Sequence, residues 1–203
     1  MIPPLPDIVL EPIVALALAE DLGRAGDVTT DATIDPEHRA RWAINARQDG
    51  IIAGLDAANL ASWKVDPDLL WDLKKPDGAA IKKGETIAEI EGFSRSMLTA
   101  ERTILNFIGR LSGVATLTRA YADAVSGTNA QIAATRKTTP GMRALEKRAV
   151  RLGGALPHRY ALDDAILIKD NHVASAGGIG AALERAKKYA GHMMVIEVEV
   201  DSL

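Results

Sequence analysis

The sequence predicts an α/β protein in two parts: an α/β domain with a small sheet over residues 1–113, then a run of strand–helix repeats over 114–203. Three observations predict it. Aromatic residues are only 4% of the chain, so the core has to be built from Ala, Leu, Ile and Val, which suits helices packed on a sheet. In the first half, short β-type runs are separated by Asp-Gly and Lys-Gly turns. After Ala130, three apolar runs (131–134, 165–168 and 194–200) alternate with helical segments at a repeat of about 30 residues, the size of a βα unit.

Taken in order, residues 8–22 read as a helix behind a proline-rich lead, with Ile13, Leu16 and Ala17 on a partial stripe. Residues 23–30 read as a turn in which Asp27 caps local amides. The stretch 40–53 reads as two strands around Gln48-Asp49-Gly50, a strong hairpin signal. A short helix follows at 55–62. Strands at 69–74 and 86–91 flank two turns; this pattern resembles the hammerhead of lipoyl and biotinyl carriers but lacks their modifiable lysine, so it is read as structural. Residues 96–125 read as a helix with Leu98, Leu105, Ile108, Leu111 and Ala115 near one face. Gly109 and Gly113 interrupt it, and a break near Gly113 marks the expected domain boundary. Further helices are expected at 142–152 and 180–190, with parallel strands and right-handed crossovers between them.

Composition excludes several classes of function. With no cysteine, the chain has no disulfide, thiolate metal site or Cys nucleophile. The N-terminus has Asp7, Glu11 and four prolines where a signal peptide would have a basic and then an apolar region. No window offers the roughly 18 apolar residues that span a bilayer. A cytoplasmic location, with neither membrane nor nucleic-acid partners, is expected; the formal charge of -3 is the wrong sign for nucleic acid.

The charge is uneven. Residues 1–35 hold seven acids and one base, Arg24. Residues 135–159, TRKTTPGMRALEKRAVRLGGALPHR, hold seven Lys or Arg against one acid, Glu146. Such a local positive field favours an anionic ligand. Arg143, Lys147, Arg148 and Arg151 fit the solvated face of an amphipathic helix. Arg136, Lys137, His158 and Arg159 sit in turns, where that explanation fails. All three apolar runs end in charge: Arg136-Lys137, Lys169-Asp170, and Glu197 with Glu199. In a (β/α) barrel such strand ends would meet at one mouth. Three strands cannot close a barrel, so the repeats form either an open sheet or part of a longer barrel.

At this point TRKTTPGMR, GG, HR, LDDAILIKDNH and IEVEVDSL, in that order, resemble the carboxylating nicotinate-nucleotide pyrophosphorylases, also called quinolinate phosphoribosyltransferases. AEDLGRAGDVTT (19–30) and LTAERTILNFIGRLSGVATLT (98–118) extend the resemblance over nearly the whole chain. It implies an α/β fold with an N-terminal α/β sandwich-like domain followed by part of a (β/α) barrel of the type II phosphoribosyltransferase kind. Relatives continue past Leu203, so the chain is expected to be truncated at its C-terminus. The implied reaction moves phosphoribose from phosphoribosyl pyrophosphate to quinolinate, with loss of carbon dioxide, giving nicotinate mononucleotide. By the same resemblance Arg102, Thr135, Arg136, Lys137, Arg159, Lys169 and Glu199 contact substrate, with Arg102 reaching across the interface of a homodimer or a higher oligomer. Lys137 and His158 are candidates to stabilise the carbanion, and Glu199 the ribose. Glu197 and Glu199 are read as lying on opposite faces of their strand, with Glu199 at the mouth. Magnesium is expected to be held mainly by substrate phosphates, with no metal ligands from the protein. Alternatives are a nicotinate-type transferase without decarboxylation and an inactive scaffold of the same fold.

Other signals are weak. Gly177-Gly178-Ile179-Gly180 misses the dinucleotide fingerprint, because Leu183 stands where its last glycine belongs. His172 and His192 lack metal-ligand spacing. His38 is expected on a surface turn, and Asp163-Asp164 at the turn before the strand at Ala165.

Overall fold

The computed structural model describes residues 2–202 and divides into two compact units, Met1–Pro157 and His158–Leu203. The first unit opens with α1 (Asp7–Leu22), entered from the extended Pro6. Its buried residues are Leu10, Val14 and Leu18, four apart on one face. The expected stripe is therefore rotated: Leu16 is 61% exposed. α2 (Val28–Thr33) begins inside the segment expected to be a turn. Asp27 does cap local amides, as expected, and thereby starts the helix. Its carboxylate accepts from Thr30 N at 3.0 Å and from the Thr30 hydroxyl at 2.5 Å, and these bonds hold its pKa down.

β1 (Arg39–Asn45), β3 (Leu70–Leu73) and β5 (Thr86–Phe93) form an antiparallel sheet in the order β1-β5-β3. The hairpin expected around Gln48-Asp49-Gly50 does not form. β1 pairs with β5, while β2 (Gly50–Ile51) pairs with β4 (Ala80–Ile81). The reason lies in where the turn's polar groups go. Asp49 binds Lys83 N and Lys82 Nζ, each at 2.8 Å. Ile51 N donates to Thr116 Oγ1 and Ala53 N to Ser112 Oγ, so side chains of the following long helix replace β1 at the edge of β2.

That helix, α4 (Ser94–Ala124), is 31 residues of unbroken α-helix, about 46 Å long. The break expected at Gly113 is absent. Gly109 and Gly113 both lie on the exposed side and have open space around them, so neither kinks the helix or forces a close crossing. The face made by Met97, Ala100, Ile104, Phe107, Ile108, Leu111, Ala115 and Thr118 is buried instead. It packs between α3 (Leu55–Val65) and α5 (Arg143–Gly153). Ile104 and Leu111, each 2% exposed, are worth roughly 1.5–3 kcal/mol apiece in burial. His38 sits in an exposed turn, as expected, and its Nδ1 lies 2.7 Å from Ser94 Oγ at the start of α4.

α5 departs most from expectation. Of the four cations assigned to its wet face only Arg151 is exposed; Lys147 and Arg148 are 4% and 8% exposed. Arg148 is buried because it has partners on three sides. Its Nη1 lies 2.5 Å from Asp77 and 3.4 Å from Asp56, and its Nε donates to Pro3 O at 3.0 Å. Burial still pushes the Asp77 carboxyl above its usual pKa, despite Arg148. Lys147 donates to the Pro157 carbonyl.

The second unit is a strand–helix–helix–strand run: β6 (Ile166–Ile168), α6 (Asp170–Ala176), α7 (Ile179–Tyr189) and β7 (Ile196–Val198). β6 and β7 are parallel, as the repeat predicted, with Ile166, Leu167 and Ile168 opposite Ile196, Glu197 and Val198. The strand expected at 131–134, in the first unit, is reduced to one parallel bridge, Ala133 to Leu156. Hydroxyl turns close on either side of it. Thr128 Oγ1 accepts from Ala130 N, and Thr135 Oγ1 from Lys137 N, leaving length for one bridge only.

One substitution made at two glycines tests this packing. Gly113→Ala, in an open helical position, is expected to stabilise the chain by about 0.5–1 kcal/mol. At Gly153 a Cβ would lie 2.5 Å from Ala115 O and 2.6 Å from Thr118 Cβ. Gly153→Ala is expected to destabilise by about 1–3 kcal/mol as α4 and α5 are forced apart. Urea denaturation reads both; equal effects at the two positions would contradict the α4–α5 contact.

Candidate anion-binding site

In the first unit, the turn at 135–142 carries Thr135, Arg136 and Lys137. Lys137 N donates to Thr135 Oγ1 at 3.1 Å, and Thr138 N donates to Arg136 O at 2.9 Å. These local bonds set the side chains of Thr135 and Lys137 outward and leave Arg136 half-buried. Arg136 Nε is fully buried without a hydrogen-bond partner. A buried guanidinium N–H left unpaired is costly, so an anion here would recover that loss. Arg102 is exposed on α4 and lines a cleft of about 640 Å³ between that helix and β1, together with Trp42, Ile44 and Ile108. The turn itself is fastened by Glu146, which is 7% exposed. Burial alone would raise its pKa, but hydrogen bonds from Arg110 and Thr139 outweigh burial and hold the carboxyl below its usual value.

In the second unit, Lys169 and Glu199 each stand one residue past the C-terminal end of their strand, β6 and β7. They form an ion pair at 2.7 Å. The Glu199 amide donates to Ile168 O at 2.9 Å, which carries the strand pairing to this point. Ligand sites of parallel α/β sheets lie at such strand ends. His158 Nε2 is 3.1 Å from Glu197 Oε2. The reading that put Glu197 and Glu199 on opposite faces is corrected: residues two apart on a strand share a face, and both are exposed. They differ in partner, not in side. Arg159 is half-buried, with Nη1 donating to Ala165 O at 3.1 Å. His158 has φ 52°, the one non-glycine positive φ among the described residues. Such a backbone state costs on the order of 1–3 kcal/mol and is concentrated at functional positions.

The structure thus brings together Thr135 with Lys137, His158 with Glu197, and Lys169 with Glu199. Among the described residues, no carboxylate lies within 4.0 Å of Arg102, Arg136, Lys137 or Arg159. Sequence reasoning missed Glu197 as the partner of His158, and Arg110 and Glu146 as supports of the turn. The signal for Glu146 was available, since it is the lone acid among seven bases. His172 has a structural role: its Nδ1 accepts from the Lys169 amide at 3.0 Å at the start of α6. Asp164 accepts from Tyr160 N at 2.6 Å, closing the turn before β6. Among the described residues, no cluster of three or more His, Asp or Glu could hold a metal ion, and no helix is long and apolar enough to cross a membrane.

Cations and carboxylates set at turns and at parallel strand ends make this an α/β protein with candidate sites for an anion. Comparison with known proteins narrows it. Residues 27–112 match the family model for the N-terminal domain of quinolinate phosphoribosyl transferase, and residues 114–203 the model for its C-terminal domain. A nicotinate-nucleotide pyrophosphorylase (carboxylating) of Mycobacterium leprae is 45% identical over 191 residues, covering 92% of this chain and 66% of that protein. The decarboxylating quinolinate phosphoribosyltransferase 1b of Nicotiana tabacum is 41% identical over 197 residues, covering 96% of this chain and 56% of the relative. Among solved structures, NadC from Streptococcus pyogenes superposes with a TM-score of 0.94 at 37% identity, covering 98% of this chain and 70% of that one. The nicotinate-nucleotide pyrophosphorylase of Francisella tularensis gives 0.93 at 39%, covering 100% and 71%. The chain belongs to the quinolinate phosphoribosyltransferase family. It spans little more than half the length of the tobacco relative.

The depressed pKa of Glu146 fixes the sign of a pH effect. A carboxyl held lower in the folded than in the unfolded chain adds stability above the ordinary carboxylate range, and that stability is lost as pH falls through the folded value. Wild type is expected to be more stable than Glu146→Gln at neutral pH, and the gap to close on acidification. Urea titrations of both chains from pH 7 to pH 3 check this; a gap that stays constant or widens in acid contradicts it.

Proposed function

We propose that this chain binds quinolinate and phosphoribosyl pyrophosphate and supports transfer of phosphoribose to the pyridine nitrogen with decarboxylation, giving nicotinate mononucleotide, pyrophosphate and carbon dioxide. The observation that carries this reading is the set of cations that, among the described residues, have no carboxylate within ion-pair reach: Arg102, Arg136 and Lys137 in the first unit and Arg159 in the second, in a chain of net charge -3. Quinolinate brings two adjacent carboxylates and the second substrate brings phosphate and pyrophosphate, so the ligands supply the missing negative charge. Arg offers a planar fork to carboxylate or phosphate, and Lys a point charge.

In this reading Arg136 and Arg159 orient the carboxylates, and the exposed side chains of Thr135 and Lys137 complete the turn's grip. The Lys169–Glu199 pair offers an ammonium and a carboxylate side by side. Glu199 accepts from ribose hydroxyls and steadies positive charge growing at C1 as pyrophosphate leaves. The ring nitrogen forms the new bond to C1 with inversion while the C1–O bond to pyrophosphate breaks. The C2 carboxylate then leaves as carbon dioxide, its electron pair remains on C2, and a proton replaces it. Lys137 and His158 are the groups proposed to stabilise that pair. No protein base is required, because the pyridine nitrogen already carries its lone pair. Magnesium, held by the substrate's phosphate oxygens, would offset charge on the leaving pyrophosphate. A homodimer with Arg102 contributed across the interface, and a cytoplasmic location, belong to the same proposal; named relatives include mitochondrial and chloroplastic proteins.

Release of carbon dioxide from carboxyl-labelled quinolinate, dependent on phosphoribosyl pyrophosphate, is the expected activity. Release without the second substrate, or none from a folded chain, contradicts the proposal. Separately, Arg136→Ala is expected to weaken quinolinate binding by about 1.5–3 kcal/mol, the scale of a charged hydrogen bond. Calorimetric titration reads this, and an unchanged Kd would remove Arg136 from the site.

A further inference from the structure

The turn that carries Thr135, Arg136 and Lys137 belongs to no helix or strand, so something outside it must hold its shape. Its internal bonds are short-range: Lys137 N to Thr135 Oγ1, Thr138 N to Arg136 O, and Met142 N to Thr139 O at 3.0 Å. Bonds of this kind close a turn without saying where it sits. The fastenings to packed structure come from α4 and α5. Arg143 Nε donates to Thr138 Oγ1 at 3.2 Å. Glu146 takes Thr139 at both of its polar atoms, accepting from Thr139 N at Oε2 (3.1 Å) and from the Thr139 hydroxyl at Oε1 (2.8 Å). Arg110 on α4 closes the group, its Nη2 donating to Glu146 Oε1 at 2.7 Å and to Thr139 Oγ1 at 3.0 Å.

The placing of charge is informative. Glu146 is the lone acid in a stretch with seven bases, yet it is almost fully buried rather than spread among those bases at the surface. A buried carboxylate is tolerated only when its lone pairs are filled. Here Thr139 and Arg110 fill them, and both α4 and α5 are long elements anchored in the core. The carboxylate lies in the first turn of α5, where negative charge is favoured by the helix dipole.

We infer that Glu146 is the positioning residue of the basic turn: its carboxylate pins Thr139 to α4 and α5, and so fixes the direction in which Arg136 and Lys137 meet a dicarboxylate ligand. This rests on the functional reading given above for the ligand, but not for the geometry. Glu146 touches no substrate in this account. It acts through Thr139, two residues beyond Lys137. Misdirection of a binding group by about 1 Å can cost up to two orders of magnitude in a positioned site, so a lost pin is expected to register in affinity.

The test compares wild type, Glu146→Gln, Thr139→Val and Ser62→Ala by amide hydrogen exchange, by calorimetry with quinolinate, and by thermal unfolding. Ser62→Ala is the stability control: Ser62 is 1% exposed and accepts from Trp71 Nε1 at 2.8 Å, on α3 rather than at the turn. Glu146→Gln is expected to raise exchange across residues 137–142 and to weaken quinolinate binding, each about tenfold. Thr139→Val, which keeps the backbone N–H but loses the hydroxyl, is expected to show about threefold changes of the same kind. Ser62→Ala is expected to lower the melting temperature with neither change.

Exchange at 137–142 that stays at the wild-type level in Glu146→Gln overturns the inference, as does faster exchange with an unaltered Kd. Equal loss of affinity in Ser62→Ala overturns it too, since the effect would then be general destabilisation. Should Glu146→Gln not fold, Thr139→Val decides on the same two readouts. If wild type itself binds no quinolinate, the functional reading fails by itself, and exchange alone decides whether Glu146 holds the turn.

Discussion

The constraint on which the rest depends is the burial of three consecutive charges on α5. Glu146, Lys147 and Arg148 follow one another in sequence and are all buried, and each is spent on a piece of irregular backbone. Glu146 holds the turn at Thr139, Lys147 donates to Pro157 O, and Arg148 binds Pro3 O between Asp77 and Asp56. A helix with an apolar inner face alone would pack but would leave these segments free. Breaking one partner of such a buried pair costs on the order of 3–5 kcal/mol, whereas an apolar replacement of the whole group is often harmless. Charges in this position are therefore better explained by the shape they impose on the loops than by the stability they add.

The contrast within the 135–159 stretch follows from this. Lys147 and Arg148 are bound to the protein's own oxygens. Arg136 and Lys137, in the same unit, have no carboxylate within ion-pair reach among the described residues. One group of cations builds a frame and the other is presented by it. The second unit repeats the arrangement with strands. The parallel pair β6–β7 brings Lys169 and Glu199 side by side at its C-terminal end, where backbone pairing rather than buried charge fixes their separation.

Much of this was legible in the sequence, for identifiable reasons. The β6 and β7 strands and the helix at α7 announced themselves through apolar runs repeating at βα spacing, and Asp27 through the capping chemistry of its neighbours. The Asp-Gly signal at 49–50 misled, because hairpin propensity is local and the edge of β2 was claimed by Thr116 and Ser112 from more than 50 residues away. Gly113 misled for the converse reason: a glycine weakens a helix only mildly, and the long buried face of α4 overrides it. The cations of α5 were misassigned because periodicity cannot separate a wet face from a buried ionic one. Asp56 and Asp77, which neutralise Arg148, lie 92 and 71 residues away along the chain. The pairings of His158 with Glu197 and Lys169 with Glu199 were out of reach for the same cause, since each joins residues that only the fold makes neighbours.

The central claim is that buried, compensated charges hold uncompensated ones in place for an anionic aromatic ligand. A crystal structure of the chain soaked with quinolinate tests it most directly. The account expects a ligand carboxylate within hydrogen-bonding distance of Arg136, with the Glu146–Thr139–Arg110 group unchanged in geometry. Quinolinate bound elsewhere, with Arg136 Nε still unpaired, or a turn that rebuilds itself around the ligand by releasing Thr139, would contradict it.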